Sequence, residues 1–112
     1  MIGMKVFIYN ADGLTLPVEV EPGLPFKFRC TEEECGKEIV IEGVVRHANE
    51  DEFTRALENT VKNNPDFKKI MEITARKFIF EGKVNGKEVT LPVESFDDFA
   101  KRFLDEVLVL KS

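Results

Sequence analysis

The sequence predicts an α+β protein: an antiparallel sheet of about six strands, arranged as three hairpins, with about three helices packed on one face. Four segments in which apolar and polar residues alternate precede two segments with apolar residues at helical spacing. Two more alternating segments and a last helical segment follow, so the order is ββββααββα. Hydrophobic residues make up 43% and charged residues 33% of the 112 residues, and no low-complexity linker divides them. We therefore expect residues 1–112 to form a single compact domain.

Four strands are expected in the first half of the chain. Residues 5–9 are β-prone and mostly apolar, residues 10–13 are turn-forming, and residues 14–21 alternate strictly between apolar and polar. The third strand is expected at 25–30 and the fourth at 38–45, with a polar turn between them. Pro17 lacks a backbone donor, so the second strand should have a free edge.

Helices are expected before and after the last hairpin. Asn49 begins a capping box with acids at the positive end of the helix dipole, and Pro65 can start a second, short helix. Ser95 is a suitable cap for the last helix. Its apolar stripe is too wide for a free surface helix, so we expect it across the sheet or in a dimer interface. The stripe comprises Phe96, Phe99, Ala100, Phe103, Leu104, Val107, Leu108 and Leu110.

The dipeptide Asn85-Gly86 predicts the best-defined hairpin. Pairing outward from this turn gives one apolar face and, on the other face, pairs of opposite charge, which few other registers would do. The expected pairs are Gly82 with Val89, Phe80 with Leu91, Phe78 with Val93, Lys83 with Glu88, Glu81 with Thr90 and Lys77 with Glu94.

Two six-residue segments are similar, LTLPVE at 14–19 and VTLPVE at 89–94. Each stands on the return strand of an expected hairpin. A duplication would explain the similarity, and so would convergence on an edge-strand sequence in which Pro17 and Pro92 face outward. Both explanations stay open.

Two cysteines, Cys30 and Cys35, frame the expected turn between strands three and four. As opposite residues of this hairpin they could form a disulfide, or they could remain thiols. The Cys-Gly ending resembles one knuckle of a zinc ribbon, but the resemblance covers only this turn and the spacing is four instead of two. Zinc needs four ligands, and His47 is the single histidine, so a metal site lacks ligands within one chain. Three adjacent glutamates would raise thiol pKa values, which argues against a reactive cysteine.

One segment of the chain is locally basic. It offers a contact for nucleic acid or an acidic partner, although the net charge of −5 disfavours nucleic acid, and we favour the simpler explanation of a lysine-rich surface typical of thermophiles. The residues are Lys62, Lys68, Lys69, Arg76 and Lys77.

The sequence has few of the residues and motifs that are typical of catalytic sites. It has one histidine, two serines and no glycine-rich phosphate loop. We therefore expect a non-enzymatic protein without cofactor or metal that acts through protein contacts or self-association, with Phe103, Val107 and Leu110 as candidate contact residues. The alternatives are a nucleic-acid accessory protein using 62–77 and a metal- or redox-responsive module at the cysteines. The absence of glutamine beside many Lys and Glu suggests a thermophile. The N-terminus lacks signal-peptide features and no stretch could span a membrane, so a cytoplasmic location is expected.

Overall fold

A computed structural model describes residues 3–9, 15–61, 76–101 and 104. They form six strands and three helices, which confirms the mixed α+β class with an antiparallel six-stranded sheet. The order of strands across the sheet is β2-β1-β6-β5-β4-β3. The strands are β1 (Met4–Tyr9), β2 (Thr15–Val20), β3 (Phe26–Cys30), β4 (Ile39–His47), β5 (Phe78–Val84) and β6 (Lys87–Ser95).

The three expected hairpins all form, and β6 joins them by pairing with β1. Around Asn85-Gly86 the register places Phe80 opposite Leu91 and Lys83 opposite Glu88, as the sequence predicts. Asn85 takes a φ of 51°, which the turn requires. Its side-chain oxygen also accepts a hydrogen bond from the backbone N–H of Val40, so the hairpin tip is tied to β4.

Two helices occupy the connections on either side of β4. Helix α1 (Glu32–Cys35) is a single turn where the sequence analysis expected a polar turn, and Gly36 in the left-handed region ends it. Helix α2 (Glu50–Val61) begins at the expected capping box: Asn49 Oδ1 accepts from the N–H of Glu52 at 2.8 Å. The second expected helix, from Pro65, lies outside the described residues.

Residues 96–101 and 104 are helical, and we call this helix α3. Ser95 caps it, because Ser95 Oγ accepts from the N–H of Asp98 at 3.2 Å, as expected. The described start of α3 lies beside β1, where the ring of Phe99 is 4.7 Å from that of Phe7.

The main core lies on the inner face of the sheet. Its buried residues come from all six strands, including Val18 and Val20 on one edge strand and Cys30 on the other. Residues from both edges can share one cluster only if the sheet curls strongly, so it approaches a barrel. The sequence analysis expected a two-layer core between sheet and helices. That expectation was incomplete, because within the described part of the chain all the buried residues of this cluster lie on strands, and of the helix residues only Cys35 of α1 packs against them.

A smaller core lies on the outer face. Phe53, Ala56 and Leu57 of α2 pack there with Tyr9 and Ile79 of the sheet. Because strand residues alternate between faces, β1 and β5 contribute to both cores: Ile8 and Phe80 point inward, and Tyr9 and Ile79 point outward. The outer face of β1 and β5 is thus where α2 packs.

Gly43 of β4 and Gly82 of β5 lie directly opposite each other in the sheet. A Cβ atom on Gly43 would overlap the carbonyl oxygen of Glu81 and lie 2.8 Å from the Cα of Gly82. Only residues without a side chain allow the two backbones to approach this closely, which lets the sheet curl here.

The two similar segments occupy different environments. Pro17 is exposed on β2, an edge strand, as the sequence predicts. Pro92 is buried on β6, which lies between β1 and β5. The edge-strand explanation is therefore wrong for Pro92. The missing donor is tolerated because the pairing of β1 with β6 covers only Val93 to Ser95.

Candidate interaction site

The start of α3 is held by a group of polar residues at one end of the sheet. Ser95 is buried and also accepts a hydrogen bond from Arg76 Nη2 at 3.4 Å. The guanidinium of Arg76 lies 3.6 Å from one carboxylate oxygen of Asp97 and 3.6 Å from one of Asp98. These contacts bring a cation to the first turn of α3 and fix the direction in which the helix leaves β6.

Below the helices, Glu94 is a fully buried acid with only 1% of its surface exposed. Tyr9 Oη donates a hydrogen bond to Glu94 Oε1 at 2.8 Å. A buried carboxylate is costly unless its oxygens are hydrogen-bonded, so this contact stabilises the join between β1, β6 and the helices. Sequence reasoning placed Glu94 on an outward face and missed its burial, because alternation does not show which part of that face a helix covers.

Aromatic rings link α3 to the outer face of β1. The Phe7 ring lies 4.7 Å from the Phe99 ring and 6.1 Å from the Phe96 ring. The ammonium of Lys5 stands 5.7 Å from the centre of the Phe96 ring. Phe99 is half-buried by these contacts, but Phe96 keeps 44% of its surface exposed.

Helix α3 carries two of the three large hydrophobic residues that are exposed in the described part of the chain. Phe96 is 44% exposed and Leu104 is 59% exposed, whereas the third residue, Leu24 at 51%, lies in the turn after β2. Phe96 and Leu104 are eight residues apart, so they lie on roughly the same side of the helix and about 12 Å apart along its axis. We call them the Phe96–Leu104 face.

The candidate contact residues Phe103, Val107 and Leu110 lie outside the described residues. Leu104 was only one member of the apolar stripe in the sequence analysis. Its exposure could not be read from the stripe, because the stripe does not show which of its residues point to the sheet. Phe99 gives that direction in the structure through its contact with Phe7.

The cysteine pair lies at the end of β3. The sulfur atoms of Cys30 and Cys35 are at bonding distance, and their Cα atoms are 6.1 Å apart. The two residues are not opposite each other as the sequence analysis expected: Cys30 pairs with Ile39, and Cys35 ends α1. Both pack in or against the main core, so this geometry supports a disulfide that pins α1 to the curled sheet.

His47 and the cysteines lie at opposite ends of β4. Cys30 is paired with Ile39 at the start of this strand, and His47 is its last residue, about 26 Å further along at 3.3 Å per residue. The imidazole packs on Phe78, with ring centres 4.4 Å apart. Within the described ranges, no group of three or more His, Cys, Asp or Glu residues is placed to hold a metal ion.

The structure describes only the end of the basic segment. Lys62, Lys68 and Lys69 lie outside the described residues. Arg76 contacts the first turn of α3, and the ammonium of Lys77 lies 5.4 Å from the centre of the Phe53 ring. Both cations therefore take part in contacts between the sheet and the helices.

Arg46 joins α2 to the sheet and was not singled out from the sequence. Its guanidinium lies 2.5 Å from Glu52 Oε2 and donates from Nε to Glu81 Oε1 at 2.8 Å. Hydrogen bonds to Glu52 and then to Glu81 raise the pKa of Arg46 above its usual value. The hydrogen bond from Arg46, followed by the backbone N–H of Asn49, lowers the pKa of Glu52.

A shallow groove of about 630 Å³ crosses four strands along the row Phe26, Gly43, Gly82 and Val89. Charged residues of both signs border it, including Lys27 and Glu42, so no sign of ligand charge is favoured. Both glycines of the close pair line this groove.

No described helix has the length and apolar character needed to cross a membrane. The chain matches no protein-family model, and comparison with curated proteins and with solved structures gives no match.

Proposed function

We propose that this chain is a non-enzymatic protein that acts through protein contacts, and that its first contact is with a second copy of itself. The observation that carries the proposal is the exposure of Phe96 and Leu104 on one side of α3. Burying apolar surface is the main driving force of protein association. A helix end fixed by Ser95 and Arg76 would present this surface without a large loss of conformational entropy on binding.

The sequence beyond the described part of α3 supports the same proposal. The apolar spacing continues through Phe103, Val107 and Leu110, which we retain as candidate contact residues. We propose that those pointing away from Phe7 extend the Phe96–Leu104 face.

The test compares two exposed leucines. Leu104→Glu should weaken self-association about 30-fold or more, because each of two copies loses about 1 kcal/mol of apolar burial and gains a charge at the contact. Leu24→Glu makes the same change at a similarly exposed leucine in the turn after β2 and should leave self-association unchanged. Light scattering after size-exclusion chromatography measures the mass of both variants.

Circular dichroism should show the same helix content in the wild type and both variants. Equal weakening by Leu24→Glu and Leu104→Glu would contradict a contact at α3. Self-association of Leu104→Glu at wild-type strength would contradict it as well.

We also propose that Cys30 and Cys35 form a structural disulfide and not a redox centre. Glu32, Glu33 and Glu34 adjoin Cys35, and negative charge disfavours the thiolate that disulfide exchange requires. Burial of Cys30 limits access to the second sulfur.

We make four further proposals, which concern the order of the helices, their placement, the source of the protein and its location. We infer a helix order that includes a short helix from Pro65, and helices restricted to the outer face of the sheet, which the packing of α2 and Phe99 on that face supports. We also infer a thermophilic source from the Lys- and Glu-rich composition without glutamine. The cytoplasmic location stays a proposal from the sequence.

A further inference from the structure

Strand β3 is an open edge of the six-stranded sheet. In the described part of the chain it pairs only with β4. The other edge strand, β2, contains Pro17, and proline on an edge strand protects it against further pairing. Strand β3 contains no proline, so its free side presents a complete row of backbone donors and acceptors. Such an edge can pair with an added strand.

The hydrogen bonds of β4 show which backbone groups of β3 face the open edge. The N–H of Val40 donates to Asn85 Oδ1, and the carbonyl of Val40 accepts from the N–H of Asn85, both at 2.8 Å. Both groups of Val40 therefore point away from Arg29, its partner on β3. Because bonded and non-bonded pairs alternate along an antiparallel ladder, the backbone groups of Arg29 and Lys27 point out of the sheet at its free edge.

The side chains of these two residues are exposed cations. Arg29 donates to Glu38 at 2.8 Å, but 64% and 56% of the two side chains are exposed. An ion pair this exposed contributes little, so Arg29 can exchange Glu38 for another acid. In an added strand, the residues opposite Lys27 and Arg29 place their side chains on the same face of the sheet, where acids would meet both cations.

The residues on either side of Lys27 are apolar. Phe26 and Phe28 are half-buried and pack against the main core on the inner face of the sheet. The residues of an added strand that alternate with its acids would lie beside these rings. Apolar side chains fit this position, because they would extend the cover of the core.

We propose that β3 binds an extended segment of a partner protein, which adds to the sheet edge with acids opposite Lys27 and Arg29 and apolar residues beside Phe26 and Phe28. Backbone hydrogen bonds supply the affinity in this mode of recognition, and the alternating side chains supply the specificity. The inference goes beyond the proposed self-association through α3 and does not depend on it.

A second copy of β3 does not fit this edge. Antiparallel pairing within β3 through the free backbone groups places Lys27 opposite Arg29, or one of them opposite itself. Like charges directly opposite each other are destabilising. Strand β2 of a second copy carries the exposed Glu19, but its addition would be head to tail and would leave a free edge at each end instead of a closed pair.

The test uses synthetic peptides with blocked ends and isothermal titration calorimetry. The unmodified protein should bind the peptide Thr-Val-Glu-Val-Glu-Val-Thr. A peptide with lysine in place of both glutamates should bind about tenfold more weakly or worse, because attraction becomes repulsion at two positions. Methylation of the backbone nitrogen of both glutamates removes the donors that face β3 and should abolish binding.

A charge-reversed variant tests the site on the protein. Lys27→Glu with Arg29→Glu should prefer the lysine peptide over the glutamate peptide. The matched control, Arg55→Glu with Lys87→Glu, makes the same change of net charge at exposed residues of α2 and β6, and it should keep the wild-type preference. If the charge-reversed variant does not fold, Lys27→Thr with Arg29→Thr takes its place and should bind both peptides equally.

Amide exchange gives an independent readout. Peptide binding should slow the exchange of the backbone N–H of Lys27 and Arg29, with little change at Phe28, whose N–H faces β4. Slow exchange at Lys27 and Arg29 that appears with rising protein concentration and no peptide would show a second copy at this edge and would overturn the inference.

Three further results would overturn it: no binding of the glutamate peptide up to about 1 mM, binding of the methylated peptide at full strength, or a folded charge-reversed variant with the wild-type preference. Chains that stay monomeric would overturn only the self-association, and the peptide results would stand.

Discussion

At the scale of single residues, the hydrogen bond between Tyr9 and Glu94 is the most informative contact. The hydroxyl donates to a carboxylate that has 1% of its surface exposed, beneath the helices of the outer face. Tyr9→Phe removes only this donor. We expect it to lower the free energy of unfolding by about 1–3 kcal/mol, because a buried acceptor loses a hydrogen bond.

Chemical denaturation of wild type and Tyr9→Phe measures this difference. Glu94→Gln is the matched partner, since an amide oxygen can still accept from Tyr9 and the buried negative charge is removed. Combining the two changes should cost less than the sum of the single effects, because the hydrogen bond that Tyr9 donates to a neutral amide is weaker than one donated to a carboxylate. Additive effects would show that Tyr9 and Glu94 contribute independently.

Some single-residue roles could be predicted from the sequence, and others could not. Ser95 as a helix cap and Asn49 with Glu52 as a capping box depend on local spacing, and both are confirmed. Glu94 and Leu104 depend on which surfaces meet in three dimensions. The sequence pattern therefore could not predict that Glu94 is buried or that Leu104 is exposed.

At the scale of elements, the attachment of α2 to the sheet depends on pH. Arg46 holds the pKa of Glu52 below the ordinary carboxyl value of 4.5. A group whose pKa is lowered by folding stabilises the folded state above its unfolded pKa, and this stabilisation is lost as the pH falls through the folded pKa. We therefore expect Glu52 to contribute fully at neutral pH and to lose its contribution in acid below pH 4.5.

Thermal unfolding of wild type and Glu52→Gln at several pH values checks this. The difference in Tm should be largest at neutral pH and should shrink in acid. Glu50→Gln changes an acid in the same first turn of α2, where the structure places no contact with Arg46, and serves as control. A difference for Glu52→Gln that grows as the pH falls would contradict the sign of this linkage.

The short element α1 gives a test of the cysteine pair. If Cys30 and Cys35 form a disulfide that pins α1 to the sheet, replacing both by Ser should lower the free energy of unfolding by about 2 kcal/mol. Amide exchange should accelerate in α1 and at the end of β3, with little change in α2. Thiol titration of the unfolded wild type measures the free cysteines directly. Two free thiols per chain would contradict the structural disulfide.

Elements and hairpin registers were largely predictable, but their arrangement was not. The register around Asn85-Gly86 is confirmed because turn chemistry, charge pairing and apolar alternation all specify it. The curl of the sheet escaped prediction because it depends on two glycines, Gly43 and Gly82, that meet across neighbouring strands. Likewise, the cysteines were expected opposite each other, whereas the turn of α1 between them moves Cys35 out of register.

At the scale of the whole molecule, the curled sheet explains why α3 has an exposed side. The buried residues of the inner cluster come from all six strands, and in the described part of the chain α2 and the start of α3 pack on the outer face. Phe96 contacts Phe7 at its edge but stays 44% exposed, and Leu104 is 59% exposed, so the Phe96–Leu104 face remains accessible for a second copy.

Sedimentation equilibrium of the unmodified protein, over a wide range of concentration, tests the proposed self-association most directly. The account predicts that the mean mass rises from the monomer value of 12.8 kDa towards twice that value as concentration increases. A mass that stays at the monomer value up to the highest concentration would contradict it.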